Sequence, residues 1–307
     1  MSHKLILQAA ATAAFFLLAA MRVDAQPFRD CSDCPEMIEI PSGTATLGAE
    51  PYEANTKAGD LPLREVTIAY RLAVAKTEVT QAQYRAFMEA SGHQMSQLGC
   101  NTWNVNRIMG YVRAHTWEAP GYPQNDSHPV VCVSHEDATA YASWLAEKTG
   151  KPYRLLSSTE FEYALRAGTR GPWFWGLSNA DACQYANVGD NTFRRHFEYA
   201  PVFHCDDGYL QTAPVGSFEP NPWGLHDMLG NAWEWTDDCV HRQSKAIPLD
   251  GRAWLAEDNG DCSRRTPRGG SWVSGTDWVR AAAQAGDGAG YHSQILGFRV
   301  ALTFNGD

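Results

Sequence analysis

The chain has 307 residues, of which 44% are hydrophobic and 20% charged, and its formal net charge is −10 at pH 7. An acidic balance without basic runs argues against a nucleic-acid partner, and the length suffices for one large core with no Pro- or Ser-rich linker to divide it. All eight cysteines lie from Cys31 onward, and their even count points to disulfides in an oxidising compartment.

Residues 1–25 read as a secretory signal peptide. Lys4 supplies the charged start, Leu5 to Ala20 the apolar run, and Val23-Asp24-Ala25 a small-residue cleavage site. The run is short for an uncleaved membrane anchor, and no later segment reads as a span. The expectation is a single domain, 26–307, exported to the periplasm. It opens on Cys31-x-x-Cys34. A redox pair or half a zinc site are alternatives there, but no second Cys-x-x-Cys and no thioredoxin-like helix follows, which favours a structural disulfide.

Short apolar runs at Met37 to Ile40, Val66 to Tyr70 and Leu72 to Ala75 read as strands. Thr80 with Gln83 forms a capping box that starts a helix ended by Gly92, with Phe87 and Met88 on its buried face. A second helix starts at Ser134, carries Ala138, Tyr141, Ala142 and Leu145 on one face, and stops at Gly150 before Pro152. Ser157 with Glu160 caps a third through Phe161, Tyr163, Ala164 and Leu165, ending at Gly168. Beyond Thr169 helical periodicity is largely lost among Gly, Pro, Asn, Asp and Trp, with possible strands at Trp278 to Ala283 and Phe298 to Leu302. The class is α+β with much irregular backbone, which needs staples. Spacing does not fix connectivity, but sequential pairing of Cys100 with Cys132, Cys183 with Cys205 and Cys239 with Cys262 would close short loops.

The most informative stretch runs from Asn221 to Trp235, reading Asn-Pro-Trp-Gly-Leu-His-Asp-Met-Leu-Gly-Asn-Ala-Trp-Glu-Trp. Later come Arg268-Gly269-Gly270-Ser271-Trp272 and Gly297-Phe298-Arg299-Val300. Glycines allow tight backbone paths, tryptophans fill the space around them, and Asp227 and Glu234 place two carboxylates in one loop able to hold a hard cation. With Ile40-Pro41-Ser42-Gly43, Lys76-Thr77-Glu78-Val79-Thr80, His128-Pro129-Val130-Val131, Arg154-Leu155, Glu160 to Tyr163 and Thr212 to Gly216, these segments resemble the formylglycine-generating enzyme and sulfatase-modifying factor family, a variant of the C-type lectin-like fold.

The resemblance implies two structural calcium ions. The matching positions are Asn187, Val188, Asp207 and Tyr209 for one, and Asp227, Gly230, Ala232 and Glu234 for the other, with Val188, Tyr209, Gly230 and Ala232 offering main-chain oxygens. The family's cysteine-oxidising enzymes hold copper on two thiols after Gly-Gly-Ser-aromatic. Ser274 and Val279 stand at those places here, and neither side chain replaces a thiolate for Cu(I), so catalytic copper is not expected. Formylglycine formation on sulfatases is disfavoured accordingly. Exported relatives without the thiols imply a different role, oxidation of the dihydropyoverdine chromophore in siderophore maturation. The substrate is then a small peptide-like siderophore precursor.

In that case the groove around Trp272 to Arg280 carries the chemistry. Asp277 would accept a proton, Ser274 donate a hydrogen bond, Trp272 and Trp278 stack on a flat ring, and His292 act as a second acid or base. Nucleotide-binding Gly-x-Gly-x-x-Gly and Gly-x-x-x-x-Gly-Lys motifs, His-Glu-x-x-His and a Gly-x-Ser-x-Gly elbow are all missing, and the scattered His196, His204 and His226 show no metal spacing. The alternative is a non-catalytic protein that binds a peptide or sugar in a lectin-like groove.

Overall fold

The computed structural model describes residues 26–53, 60–103, 109–197, 202–241 and 246–304. The expected signal peptide, 1–25, lies outside them. Among the described residues no helix is long and apolar enough to cross a membrane.

The strands are β1 (Met37–Ile40), β2 (Gly43–Leu47), β3 (Arg64–Ile68), β4 (Leu72–Ala75), β5 (Cys100–Trp103), β6 (Met109–Val112), β7 (Tyr153–Leu155), β8 (Trp233–Glu234), β9 (Cys239–Val240), β10 (Asp261–Arg265), β11 (Asp287–Gly288), β12 (Leu296–Gly297) and β13 (Val300–Thr303). The helices are α1 (Gln81–Ser91), α2 (His135–Thr149), α3 (Ser158–Arg166), α4 (Ala182–Tyr185) and α5 (Asn191–Phe197).

A four-stranded antiparallel sheet in the order β1-β4-β13-β7 forms the centre. Every side chain of β4 is fully buried, so both faces of the sheet are covered. The period-2 alternation of a strand divides them. Leu72, Val74 and Ala301 face α3 and the loop carrying Leu225, Met228 and Leu229, whereas Ala73, Ala75, Val300 and Leu302 face α1 and α2. Because β13 comes from the far end of the chain and lies between β4 and β7, the core closes only when both ends have met.

The three long helices start as expected. Thr80 Oγ1 accepts from the Gln83 amide at 3.2 Å while Gln83 Oε1 accepts from the Thr80 amide at 3.0 Å. Ser134 with Asp137 and Ser157 with Glu160 repeat the box. Gly92 and Gly150 end α1 and α2 at φ 64° and 68°. The third helix ends one residue earlier than expected, on Ala167 at φ 45°, with Gly168 also left-handed at φ 83°. That alanine accepts a strain of about 1 kcal/mol.

Two expectations need correction. Trp278 to Ala283 is not a strand but consecutive turns, with Trp278 N donating to Gly275 O and Ala283 N to Arg280 O. Val279 and Ala281 to Ala283 are buried because the loop itself enters the core, and a short apolar run cannot tell those cases apart. Helical structure also continues past Gly168 in α4 and α5. Asp190 Oδ1 accepts from the Phe193 amide at 2.8 Å at the start of α5, a capping signal too short to stand out in the sequence.

All eight cysteines pair as 31–34, 100–132, 183–205 and 239–262. The last three tie down irregular regions, joining β5 to the segment before α2, α4 to the loop after α5, and β9 to β10.

Phe298 is fully buried and meets Tyr84 and Tyr141 edge-on at 6.3 and 5.3 Å. Phe298→Ala should lower unfolding free energy by about 3–5 kcal/mol, read as a shift of denaturant midpoint. A loss below about 1 kcal/mol would mean the contact between α1, α2 and the last strand is not a core contact.

Candidate functional site

The Trp- and Gly-rich loop is built on buried amides. Asn221 accepts from Trp223 N and Leu225 N at 3.0 and 3.1 Å and donates to Ala164 O at 2.7 Å, which fixes the loop to the end of α3. Gly230, at φ 82°, passes so close to Asn187 that an added Cβ would lie 2.2 Å from its carbonyl oxygen. The next residue, Asn231, is fully buried at φ 54°. Its amide group donates to Glu78 Oε1 at 2.9 Å and accepts from Ala213 N at 2.9 Å and Asn187 Nδ2 at 3.2 Å. Its carbonyl accepts from Trp272 N at 3.1 Å.

The residues matched to calcium fall into two neighbourhoods. In the first, Asp207 accepts from Val188 N and Tyr209 N at 2.9 and 2.8 Å, and Asn187 Oδ1 is buried without a donor. Burial and the nearby Asp190 raise the Asp207 carboxyl to about 7, against backbone hydrogen bonds that lower it. Cys183, Asp190 and Asp207 place possible ligand atoms within 4.8 Å of one another, but Cys183 is in a disulfide, which leaves the carboxylates. Clustered carboxylates are the kind of ligand a hard, oxygen-seeking cation takes.

In the second, Asp227 Oδ2 accepts from Gly216 N at 2.6 Å while Oδ1 is buried without a donor. Glu234 is held by Arg299 through two contacts of 2.6 Å, so both its oxygens are engaged. Glu78, which the sequence reading quoted only as a family marker, adds a third buried carboxylate whose Oε2 also has no donor. Burial, then the charges of Asp227 and Glu234, push the Glu78 carboxyl well up. Three carboxylates against one guanidinium require a proton or a cation to balance them. Asp227 and Glu78 carry the unsatisfied oxygens there.

A cavity of about 240 Å3 opens beside the segment after Gly269-Gly270. Ser274, Asp277 and Trp278 line it. Ser274 Oγ accepts from Ser271 N at 3.0 Å. Two candidates are placed elsewhere. Trp272 is buried behind the wall against Tyr122 and Phe193, at ring distances of 5.9 and 6.0 Å. His292 is 3% exposed with Nε2 3.0 Å from Asp137 Oδ2, so its ring braces the start of α2, while its neighbours Tyr291 and Ser293 reach the cavity. Val279 is fully buried and packs over Gly270, outside the lining.

The cavity also takes Trp233 from the Trp-rich stretch, which the sequence did not assign to it, and residues that no local motif marks: Trp103, Asp287 and Tyr291. Burial raises the Asp287 carboxyl against the opposing charge of Arg264, and burial raises the Tyr291 hydroxyl. Asp287 lies in a Gly- and Ala-rich segment whose only signal is an isolated acid. Among the described residues His196, His204 and His226 are not part of a metal-ligand cluster.

The chain belongs to the family of the sulfatase-modifying factor enzyme 1-like domain, whose family model matches residues 23–304. Within it, the chain is 33% identical to PvdO from Pseudomonas aeruginosa, a solved structure that superposes with a TM-score of 0.77 over 91% of this chain and 98% of that one. It is 29% identical to the formylglycine-generating enzyme of Streptomyces coelicolor over 86% of this chain and 88% of that protein. It is 25% identical to the hercynine oxygenase of Mycolicibacterium thermoresistibile over 83% of this chain and 55% of that protein.

Asp287 yields a pH prediction. Its folded-state carboxyl lies above the ordinary value of 3.8, so the folded protein favours the protonated form, and stability falls as pH rises from about that value through the raised one. Asp287→Asn removes this penalty. Its stability relative to the parent chain should therefore increase as pH rises above the ordinary value of 3.8, and parallel pH–stability curves would refute the raised carboxyl.

Proposed function

We propose that this protein is an exported oxidoreductase that oxidises the dihydropyoverdine chromophore of a siderophore precursor. The observation that carries the reading is the cavity beside Ser274, where aromatic walls sized for a flat ring meet the carboxyls of Asp277 and Asp287. The 33% identity with PvdO along almost the whole chain supports it. So does the likeness to an enzyme named as an oxygenase.

In the proposed reaction the dihydro ring loses two electrons and two protons, and dioxygen takes up both to leave as hydrogen peroxide. Trp233 and Trp278 hold the ring and exclude water. Asp287, made more basic by burial, takes a proton when ionised, and Asp277 is the second acceptor. Ser274 Oγ orients a polar edge of the substrate. The donor set offers no route through thiolate-bound copper, since Ser274 occupies the thiol's place and all eight cysteines are in disulfides.

Deleting the gene in its own host should leave secreted siderophore two hydrogens heavier and without the mature chromophore absorbance. The intact gene should restore it, whereas Asp287→Asn should slow chromophore formation by roughly 10²–10⁴-fold. Unchanged mature siderophore in the deletion strain would remove the reading.

The same reading gives calcium a structural part. Asn187, Val188, Asp207 and Tyr209 would hold one ion and Asp227, Gly230, Ala232 and Glu234 the other, neutralising carboxylates that burial otherwise penalises. EDTA should lower the melting temperature, since an ion at a hundred times its dissociation constant stabilises by about 2.7 kcal/mol. Asp207→Ala and Asp227→Ala should each remove part of that calcium-dependent shift. A melting temperature indifferent to EDTA and to added calcium would exclude this role.

A further inference from the structure

Three of the four disulfides join residues 22 to 32 positions apart and tie down irregular backbone. The fourth differs. Cys31 and Cys34 are three positions apart, and the turn between them is already closed by Cys34 N, which donates to Cys31 O at 3.2 Å. Around that turn Phe28 and Met37 exchange backbone hydrogen bonds of 3.0 and 2.8 Å, while Lys151 and Lys148 hold Asp30 and Asp33. A cross-link over so short a loop removes little entropy from the unfolded chain, and here it repeats a constraint that polar contacts supply.

The two sulfurs are unequal. Cys31 is partly exposed, whereas Cys34 is fully buried in the apolar cluster that holds Met37, Val79 and Tyr84. Ser32 and Asp33, which lie between them, line a groove of about 710 Å3 together with Arg29, Glu36, Lys76 and Gln83. Both signs of charge and several neutral polar groups face this groove, which suits a polar peptide segment better than a flat apolar ring.

Both products of reduction have places ready. Asp33 Oδ1 stands 3.1 Å from Cys31 Sγ, a contact that becomes a hydrogen bond only when Cys31 carries a proton to donate. The Lys148 ammonium holds the Asp33 carboxyl below its ordinary value and so keeps it ionised as the acceptor. Cys34 as a thiol is a small apolar group in an apolar site. A reduced form stabilised in this way makes a disulfide a better oxidant.

We propose that Cys31 and Cys34 form a thiol–disulfide exchange site that takes two electrons from a dithiol of another protein docked in the adjoining groove. The donor's thiolate attacks Cys31 Sγ, the bond between the two cysteines breaks, and Cys34 Sγ leaves and takes up a proton. The donor's second thiol then attacks the donor sulfur of the mixed disulfide, closing the donor's own disulfide and releasing Cys31 as a thiol that donates to Asp33. Two electrons and two protons pass from the donor to the pair. This activity is separate from the oxidation proposed for the cavity beside Ser274.

The test equilibrates the folded chain with graded ratios of reduced to oxidised dithiothreitol without denaturant, then alkylates free thiols and locates them by peptide mass spectrometry. Cys31 and Cys34 should be reduced reversibly while the other three pairs stay oxidised, and the melting temperature of that form should lie within about 3 °C of the parent's. Asp33→Ala should raise the ratio needed for half reduction several-fold, whereas Ser32→Ala should leave it within about twofold. A reduced peptide carrying a Cys-x-x-Cys dithiol should gain a disulfide from the parent chain and none from the Cys31→Ala/Cys34→Ala variant, whose melting temperature confirms that it folds. Reduction of all four pairs together, reduction only on unfolding, an unchanged half-reduction ratio in Asp33→Ala, or no transfer to the peptide would each overturn the proposal.

Discussion

The buried side-chain amide of Asn231 is the contact on which the site depends. It sits where the segments of Glu78, Asn187 and Ala213 converge and supplies a matched donor or acceptor to each, while the backbone carbonyl of the same residue accepts from Trp272 N. None of these partners lies in a regular element long enough to hold it by ladder hydrogen bonds. An amide can serve both kinds of partner at once, which neither a carboxylate nor an apolar residue of similar size can do. Losing one such partner in a dry interior leaves a polar group unsatisfied at a cost of about 1–3 kcal/mol.

Charge is handled in the same region by pairing. Arg299 is fully buried and gives both arms of its guanidinium to Glu234, with further bonds to Ala75 O and His226 O. This single side chain therefore joins the end of β4, the Trp-rich loop and the strand that closes the central sheet. A buried pair of this kind contributes specificity more surely than net stability, because desolvation of both ions offsets most of their attraction. On α3 Glu162 plays the reciprocal part, with Arg166 and Arg268 at 2.8 and 3.2 Å. Irregular backbone held by buried polar contacts and disulfides is stiff enough to present a cavity without a surrounding β-barrel or helical bundle.

The cavity takes its lining from four parts of the chain: the β5–β6 hairpin, the end of the Trp-rich loop, the turns after Gly270, and the segment around β11 and β12. Its chemistry therefore varies independently of the core. The side chains facing the cavity can change while Gly269, Gly270 and Trp272 keep the path of the backbone. That separation explains how one family framework carries members with different names and activities.

The sequence alone determined the strongly local features. Capping boxes at Thr80, Ser134 and Ser157 and glycines at 92 and 150 are short-range signals, and each sets a helix boundary through hydrogen bonds within a single turn. The Gly-Asn-x-Trp and Gly-Gly-Ser-Trp segments were equally legible, and with them the family and the place of Ser274, Asp277 and Trp278. Tertiary structure decided the rest. Whether Trp278 to Ala283 forms a strand depends on whether a partner strand is available, and the turns there are satisfied instead by Gly275, Arg280 and Pro172. His292 has the chemistry of an acid–base residue, but Asp137, far away in sequence, takes its ring away from the cavity. Asp287 carries no local mark at all. Its raised carboxyl comes from partial burial among residues distant in the chain, and burial is a property of the tertiary structure that no window of sequence contains.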